Sequence, residues 1–273
     1  MITPVDKLPA STLTPSEQAP VTKHMQHLVG CLTWLSISTR PDIATITNML
    51  AKYSSKPSPS HIEHARYVLR YLKGTSAHGI TFRHNNNQAI ESYVKFPLPS
   101  SVVPLCDANW GPQDQSRPSA TNNEPIELFK SRSVLGFLFW LNGPIHWMSK
   151  RQSITARSSA EAEIYATDEC VKGLLHLSFL VDGLNLSKLI MPRPINVYND
   201  NAACVQWAVN LTSKGLRHIQ IRENAVRESV QNKFVTIKHI KGQVNLSDLF
   251  TKEDKDVGHF LAIRNLLVSG PPQ

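Results

Sequence analysis

Four acids in this chain have the surroundings of a divalent-cation site: Asp107, Glu163, Asp200 and Asp248. Asp107 ends the apolar stretch Val102-Val103-Pro104-Leu105-Cys106, and Asp200 ends Ile195-Asn196-Val197-Tyr198-Asn199. Glu163 lies near the start of the helix-like run Ser158 to Ala166, and Asp248 sits in Asn245-Leu246-Ser247-Asp248-Leu249. Gaps of 56, 37 and 48 residues separate them, so only a fold brings them together. Clustered carboxylates repel one another unless hard divalent cations sit between them. Two such ions a few ångströms apart make a phosphodiester-cleaving centre.

Each acid also has a local reading. Ser158-x-x-Glu161 matches a capping box, which gives Glu161 a structural task. Glu163 has none of that kind: it heads the helical stripe Ala166/Thr167, Cys170, Leu174, Leu177 and Val181, and an acid on a buried stripe needs a partner. Asp200 could be a plain N-cap, Asp248 could favour a helix dipole, and Asp107 could start a turn. The four together, in an α/β order, favour the site.

Other candidates are less distinctive. His218 stands open between binding phosphate or hybrid and capping a helix. His61 and His64 are spaced i, i+3, without the His-Glu-x-x-His zinc pattern, and are read as solvated. Trp34, Trp140, Trp147 and Trp207 lie in apolar stretches and are read as core.

The elements that must position the acids follow from periodicity. Residues 1–22, with Pro4, Pro9, Pro15 and Pro20 among Ser and Thr, are expected to form a disordered lead-in. Helical patterns follow at Met25 to Ile37, Pro41 to Tyr53 and His61 to Leu72, the last closed by Lys73-Gly74. Gly79 to Phe82 reads as a short strand, and the Asn- and Pro-rich stretch from His84 to Ser101 as a boundary. Strands are expected at Val102 to Asp107, although Pro104 is awkward in a central strand. Ser133 to Leu141 and Ile145 to Ser149 flank the hairpin signal Asn142-Gly143. Helices at about 159–184, 201–209 and 222–231 then alternate with strands at 195–198 and 235–240, and a last helix starts near Leu246. Residues 110–132 read as a long loop. This is a mixed-sheet α/β pattern.

The chain of 273 residues can bury a substantial core. Its 29 Lys and Arg against 21 acids give a net charge of +8, the kind of surface that attracts polyanions. Residues 1–100 carry 10 basic and 5 acidic side chains, so the first part is the expected steering surface. Cys31, Cys106, Cys170 and Cys204 form no Cys-x-x-Cys pair, which argues against zinc or a disulfide framework and for reduced, intracellular thiols. No secretory signal and no apolar run near the roughly 20 residues of a membrane span is visible.

The motifs add a resemblance. Leu28-Val29-Gly30-Cys31-Leu32-Thr33-Trp34-Leu35, Thr39-Arg40-Pro41-Asp42-Ile43-Ala44 and the run Ala65 to Thr75 resemble the segment after the polymerase palm in copia-type LTR retrotransposon Pol polyproteins. Cys106 to Trp110, Trp147 to Gln152, Ser158 to Glu163, Tyr198 to Asn201, Arg217 to Arg222 and Asp248-Leu249-Phe250-Thr251-Lys252 resemble the ribonuclease H domain of the same polyproteins. The match covers about residues 24 to 255.

The resemblance implies an α/β fold, a ribonuclease H-like mixed five-stranded sheet flanked by helices and preceded by a small helical segment. It divides the chain into the lead-in 1–22, a reverse transcriptase thumb or connection remnant at 23–99, a ribonuclease H-like domain at 100–255 and a tail at 256–273. The family's catalytic set falls on Asp107, Glu163, Asp200 and Asp248 around two magnesium ions, with manganese as a substitute. One ion is expected on Asp107, Asp200 and Asp248 and would activate the attacking water; the other, on Asp107 and Glu163, would stabilise the departing 3′ oxygen. His218, Arg222, Arg66, Arg70 and Lys73 are the expected nucleic-acid contacts.

The implied partners are an RNA–DNA hybrid and the palm and fingers of a parent polyprotein, without a membrane, in the cytoplasm or the nucleus. The alternatives are a catalytically idle, truncated relic that binds nucleic acid, and an integrase core, whose acids run Asp, Asp, Glu instead. Departures from the family are clear. No Asp-Asp dipeptide occurs, so the polymerase signature is missing, as are those of integrase and protease. Lys241-Gly242-Gln243 runs almost directly into Asn245, where many cellular ribonucleases H carry a flexible His loop, and the 110–132 loop is longer than the family's usual connection.

Overall fold

Runs of β-branched and aromatic residues become the strands, and the apolar stripes at helical spacing close over them. The computed structural model describes residues 4–82, 87–95, 97, 99–111, 132–209, 220–252 and 256–270, the side chains of 87–89 and 220–223 excepted. In chain order the elements begin with α1 (Pro15–Ser38), α2 (Ala44–Ala51), α3 (Pro59–Gly74), α4 (Asn87–Val94), β1 (Val103–Asn109), β2 (Val134–Trp140) and β3 (Pro144–Arg151). They continue with α5 (Ser159–Gly183), α6 (Ser187–Ile190), β4 (Ile195–Asn199), α7 (Ala202–Val209), α8 (Gln220–Gln231), β5 (Val235–His239) and α9 (Val257–Leu267). Two 3-10 turns, Gly242–Val244 and Leu246–Phe250, follow β5. The chain divides into two units, Met1–His84 with Glu253–Gln273, and Asn85–Lys252.

The first unit is helical, and it corrects the expectation for the N-terminal residues. Residues 15–22 are the start of α1, not a disordered lead-in. Pro15 takes the first helical position, and the Glu17 carboxylate accepts the Thr14 backbone N–H at 3.0 Å and its hydroxyl at 2.7 Å. Helix α1 buries Met25, Val29, Leu32 and Ser36. Trp34 falls off that stripe and is 66% exposed, so it is not a core residue. His61 is not solvated either. It is buried, and its Nδ1 accepts the Ser58 N–H at 3.1 Å, taking the place an acid holds in the usual capping box. Burial lowers its pKa, with the neighbouring His64 adding to the effect. The expected tail is mostly α9, whose Phe260 ring meets Tyr71 at 6.2 Å within the same unit. Gly79 forms only an isolated bridge with Ser269 instead of a strand.

The motif Arg40-Pro41-Asp42 is the polar anchor of this unit. Arg40 donates to both Asp42 oxygens at 2.9 and 2.7 Å and to the Thr75 carbonyl and hydroxyl at 3.2 and 2.8 Å. Tyr71 donates its hydroxyl to Asp42 at 2.6 Å. Three of the five donor–acceptor pairs join sequence-distant residues, and the groups are largely buried, so each member leaves a costly orphan if removed.

The second unit carries the mixed five-stranded sheet in the order β3-β2-β1-β4-β5. The hairpin β2–β3 and the pair β1–β2 are antiparallel, whereas β1–β4 and β4–β5 are parallel. Asn142, at φ 56°, turns the hairpin as its Asn-Gly signal requires. Pro104 is tolerated because β1 pairs with β4 only at Leu105 and Cys106, so the β4 ladder does not need it. Helix α5 covers one sheet face: Cys170, Val171 and Leu174 pack with Cys106, Phe137, Phe139, Val197 and Ile237. Each such side chain contributes about 1.5–3 kcal/mol by leaving water. The expected helix at Leu246 is a short 3-10 turn. Residues 112–131, most of the expected long loop, lie outside the described residues.

Candidate metal centre

Side chains alternate faces along a strand. In β1, Cys106 therefore enters the core under α5 while Asp107 lies on the face covered by the turn Leu246–Phe250. Gly136 of β2, which pairs with Asp107, makes that cover possible. A Cβ there would stand 2.6 Å from Phe250 Cβ and 2.9 Å from Thr251 Cγ2. Thr251, so placed, donates its hydroxyl to Asp107.

The local readings of the other acids are resolved by their neighbours. Asn201, not Asp200, caps α7, its Oδ1 accepting the Cys204 N–H at 3.0 Å. Asn245, not Asp248, caps the turn after β5, accepting the Ser247 N–H at 3.2 Å and hydroxyl at 2.5 Å. Glu161 is occupied at the start of α5, where it accepts the Arg157 N–H at 2.6 Å. Glu163 is instead turned into the site, accepting the Asn199 amide at 3.0 Å. Asp200 Oδ2 lies so close to Gly242 that a Cβ there would meet it at 2.8 Å.

Asp107, Glu163 and Asp200 each bring a ligand atom to within 4.8 Å of the others. Asp107 and Glu163 are buried, and Asp200 is partly so. Asp248 is not in that group of three. Its carboxylate pairs with Lys252 Nζ at 2.9 Å, and the same ammonium reaches Asp107 Oδ2 at 3.6 Å. Hard oxygen donors at this spacing fit a divalent cation, and the donor set lacks the sulfur or imidazole that softer metals prefer.

The electrostatics agree with that donor set. Burial pushes the Glu163 carboxyl up to about 10, reinforced by the Asp107 charge and opposed by the Asn199 amide. Burial pushes Asp248 up to about 7, with Asp107 adding to it and Lys252 opposing. Asp200 is raised for the same two reasons, burial first and Asp107 second. Burial would lower the Lys252 ammonium, but the Asp107 and Asp248 carboxylates override it and hold the group above its ordinary value. With Glu163, Asp200 and Asp248 resisting ionisation, the cluster gains from an added cation.

Among the expected nucleic-acid contacts, Arg66, Arg70 and Lys73 lie exposed on α3. Arg66 and Arg70 pair with Glu63 at 3.5 and 2.8 Å, and Arg70 stacks over the Tyr67 ring at 4.0 Å. His218 and the Arg222 side chain lie outside the described residues. Three groups escaped the sequence reading: Lys252, Thr251 and His239. His239 pairs in register with Asn199 at the carboxyl end of β5 and contacts the Asp200 carbonyl at 3.1 Å through Nε2. The available signals were the i, i+4 spacing of Asp248 and Lys252, and the habit of ligand sites to form at carboxyl ends of parallel strands.

Fold and site thus define a mixed-sheet α/β protein with carboxylates gathered at the ends of two adjacent parallel strands. No family model matches the chain. It is 27% identical over 252 residues to the retrovirus-related Pol polyprotein from transposon RE2 of Arabidopsis thaliana, a span that takes in 92% of this chain and 15% of that relative. It is 31% identical over 151 residues to the secreted RxLR effector protein 161 of Plasmopara viticola, covering 55% of this chain and 88% of that protein. The solved structure of LC11-RNase H1, isolated from compost, superposes with a TM-score of 0.38 at 14% identity, over 56% of this chain and 94% of that one. The chain's relatives among curated proteins include retrovirus-related Pol polyproteins from transposons, of whose length it spans only about 13–15%.

Proposed function

We propose that the second unit is a ribonuclease H that hydrolyses the RNA strand of RNA–DNA hybrids with the help of two divalent ions. The observation that carries this reading is the convergence of Asp107, Glu163 and Asp200 within 4.8 Å. When bound, magnesium or manganese would lower the pKa of the attacking water and stabilise the departing 3′ oxygen. Asp107, shared by the set, is held in orientation by the Thr251 hydroxyl. Asn199 holds Glu163, and the Gly242 backbone leaves room for Asp200 beside it. Asp248 supplies the fourth carboxylate from the turn after β5. Selectivity for RNA would come from 2′-hydroxyl contacts in the minor groove. The surplus of basic residues would attract the duplex backbone, with Arg66, Arg70 and Lys73 as contacts. The palm and fingers of a parent polyprotein would be the natural partner, acting in the cytoplasm or the nucleus.

The test is cleavage of a labelled hybrid by wild-type chain and by Asp107→Asn. The variant is expected to lose at least two orders of magnitude in rate, because the one carboxylate shared by all the expected ligand pairs is gone. Cleavage by the variant at the wild-type rate would dismiss the assignment. Hybrid binding without metal-dependent cleavage by wild type would support an idle binding module instead.

A further inference from the structure

The acid cluster is electrostatically lopsided. On one side, Asp107, Glu163 and Asp200 bring oxygens together, and none of the ion pairs found among the described residues joins Glu163 or Asp200 to a cation. On the other side, between Asp107 and Asp248, an ammonium already stands, 3.6 Å from Asp107 Oδ2 and 2.9 Å from Asp248 Oδ1. Lys252 comes from the same stretch of chain as Asp248 and Thr251, so the turn packed over Gly136 delivers the acid and its counterion together. A second divalent ion entering between Asp107 and Asp248 would meet this positive charge within a few ångströms, a repulsion that a partly buried site screens weakly.

We propose that Lys252 is a tethered counterion occupying the second cation position, so that the free chain binds a single divalent ion, on Asp107, Glu163 and Asp200. The inference rests on the metal-site reading above but does not require that the chain cleave hybrid. It makes loading of the second position conditional: the ammonium must leave Asp107 first, and an anionic phosphate arriving there is the chemistry that would draw it away. Lys252 is suited to this, since its side chain is 43% exposed and on a long flexible stem, while Asp107 beneath it is 1% exposed.

The experiment counts ions on the full chain with manganese as the probe, following free Mn²⁺ by electron paramagnetic resonance at fixed pH and salt. Wild type is expected to bind one ion, Lys252→Gln two, and Lys252→Arg one, because arginine restores the charge. Correct folding of the Arg variant and its single ion guard against a trivial loss of structure. Two ions on wild type, one ion on Lys252→Gln, or no binding by any of the three would overturn the proposal. Hybrid cleavage measured on the same samples separates the two readings. A shift from one ion to two without any cleavage sinks the ribonuclease reading alone, and cleavage with an unchanged ion count sinks this one alone.

Discussion

Replacing Glu163 by Gln should make the metal-free chain more stable, even though it destroys the site. The Glu163 carboxyl has its ordinary value near 4.5 when unfolded and is pushed up to about 10 in the fold, chiefly by burial. Between those values the folded chain keeps a proton that the unfolded chain has released, so stability falls as pH rises. The slope for one such group is about 1.4 kcal/mol per pH unit. From pH 5 to pH 7 that amounts to about 3 kcal/mol lost by wild type. Glutamine keeps an oxygen for the Asn199 amide and has no proton to lose, so its share of the slope disappears. Asp248, pushed up to about 7, remains in the variant and leaves a shallower residual slope. Urea midpoints in chelator at pH 5, 6, 7 and 8 read this directly. The variant should match wild type near pH 5 and exceed it by up to about 3 kcal/mol at pH 7. A variant less stable than wild type at pH 7, or one with an undiminished slope, would refute the reasoning.

Magnesium should reverse the order: it is expected to raise the wild-type midpoint more at pH 8 than at pH 5, because protons compete for the raised carboxylates, and to leave Glu163→Gln nearly unmoved. Gly136→Ala forces a Cβ to within 2.6 Å of Phe250 Cβ and should displace the turn that carries Asp248, Thr251 and Lys252. We expect a loss of about 1–3 kcal/mol in stability together with a fall in divalent-ion affinity, both measurable by calorimetry. In the helical unit, Arg40→Ala strands the Asp42 carboxylate and should cost about 3 kcal/mol in chemical denaturation, with no change in ion stoichiometry. Hybrid affinity should drop steeply between low and physiological salt, as measured by fluorescence anisotropy, if basic side chains grip phosphates.

The sheet and its helices were legible because β1, β2, β4 and β5 are bounded apolar runs and α5 carries an unbroken stripe. The convergence of Asp107, Glu163 and Asp200 was legible because their strand-end and helix-start positions survive any small error in element boundaries. What the sequence could not show is which polar neighbour takes each competing local task. Asn201 does the capping that the local reading assigned to Asp200, and that freedom is visible only in three dimensions. Lys252 was hidden for the same reason: its spacing to Asp248 is local, but its reach to Asp107 depends on a turn seated on Gly136. The N-terminal helix was missed because Pro15 reads as a breaker unless it is placed at the first helical position, where it costs nothing. His61 was misjudged because its partner is the backbone of Ser58, which no charge pattern reveals.

The central claim meets its most direct test in a single assay: the purified chain incubated with an RNA–DNA hybrid labelled on each strand, in magnesium and in chelator. Magnesium-dependent scission confined to the RNA strand is the predicted result. An intact RNA strand in magnesium, or equal cutting in chelator, would contradict it.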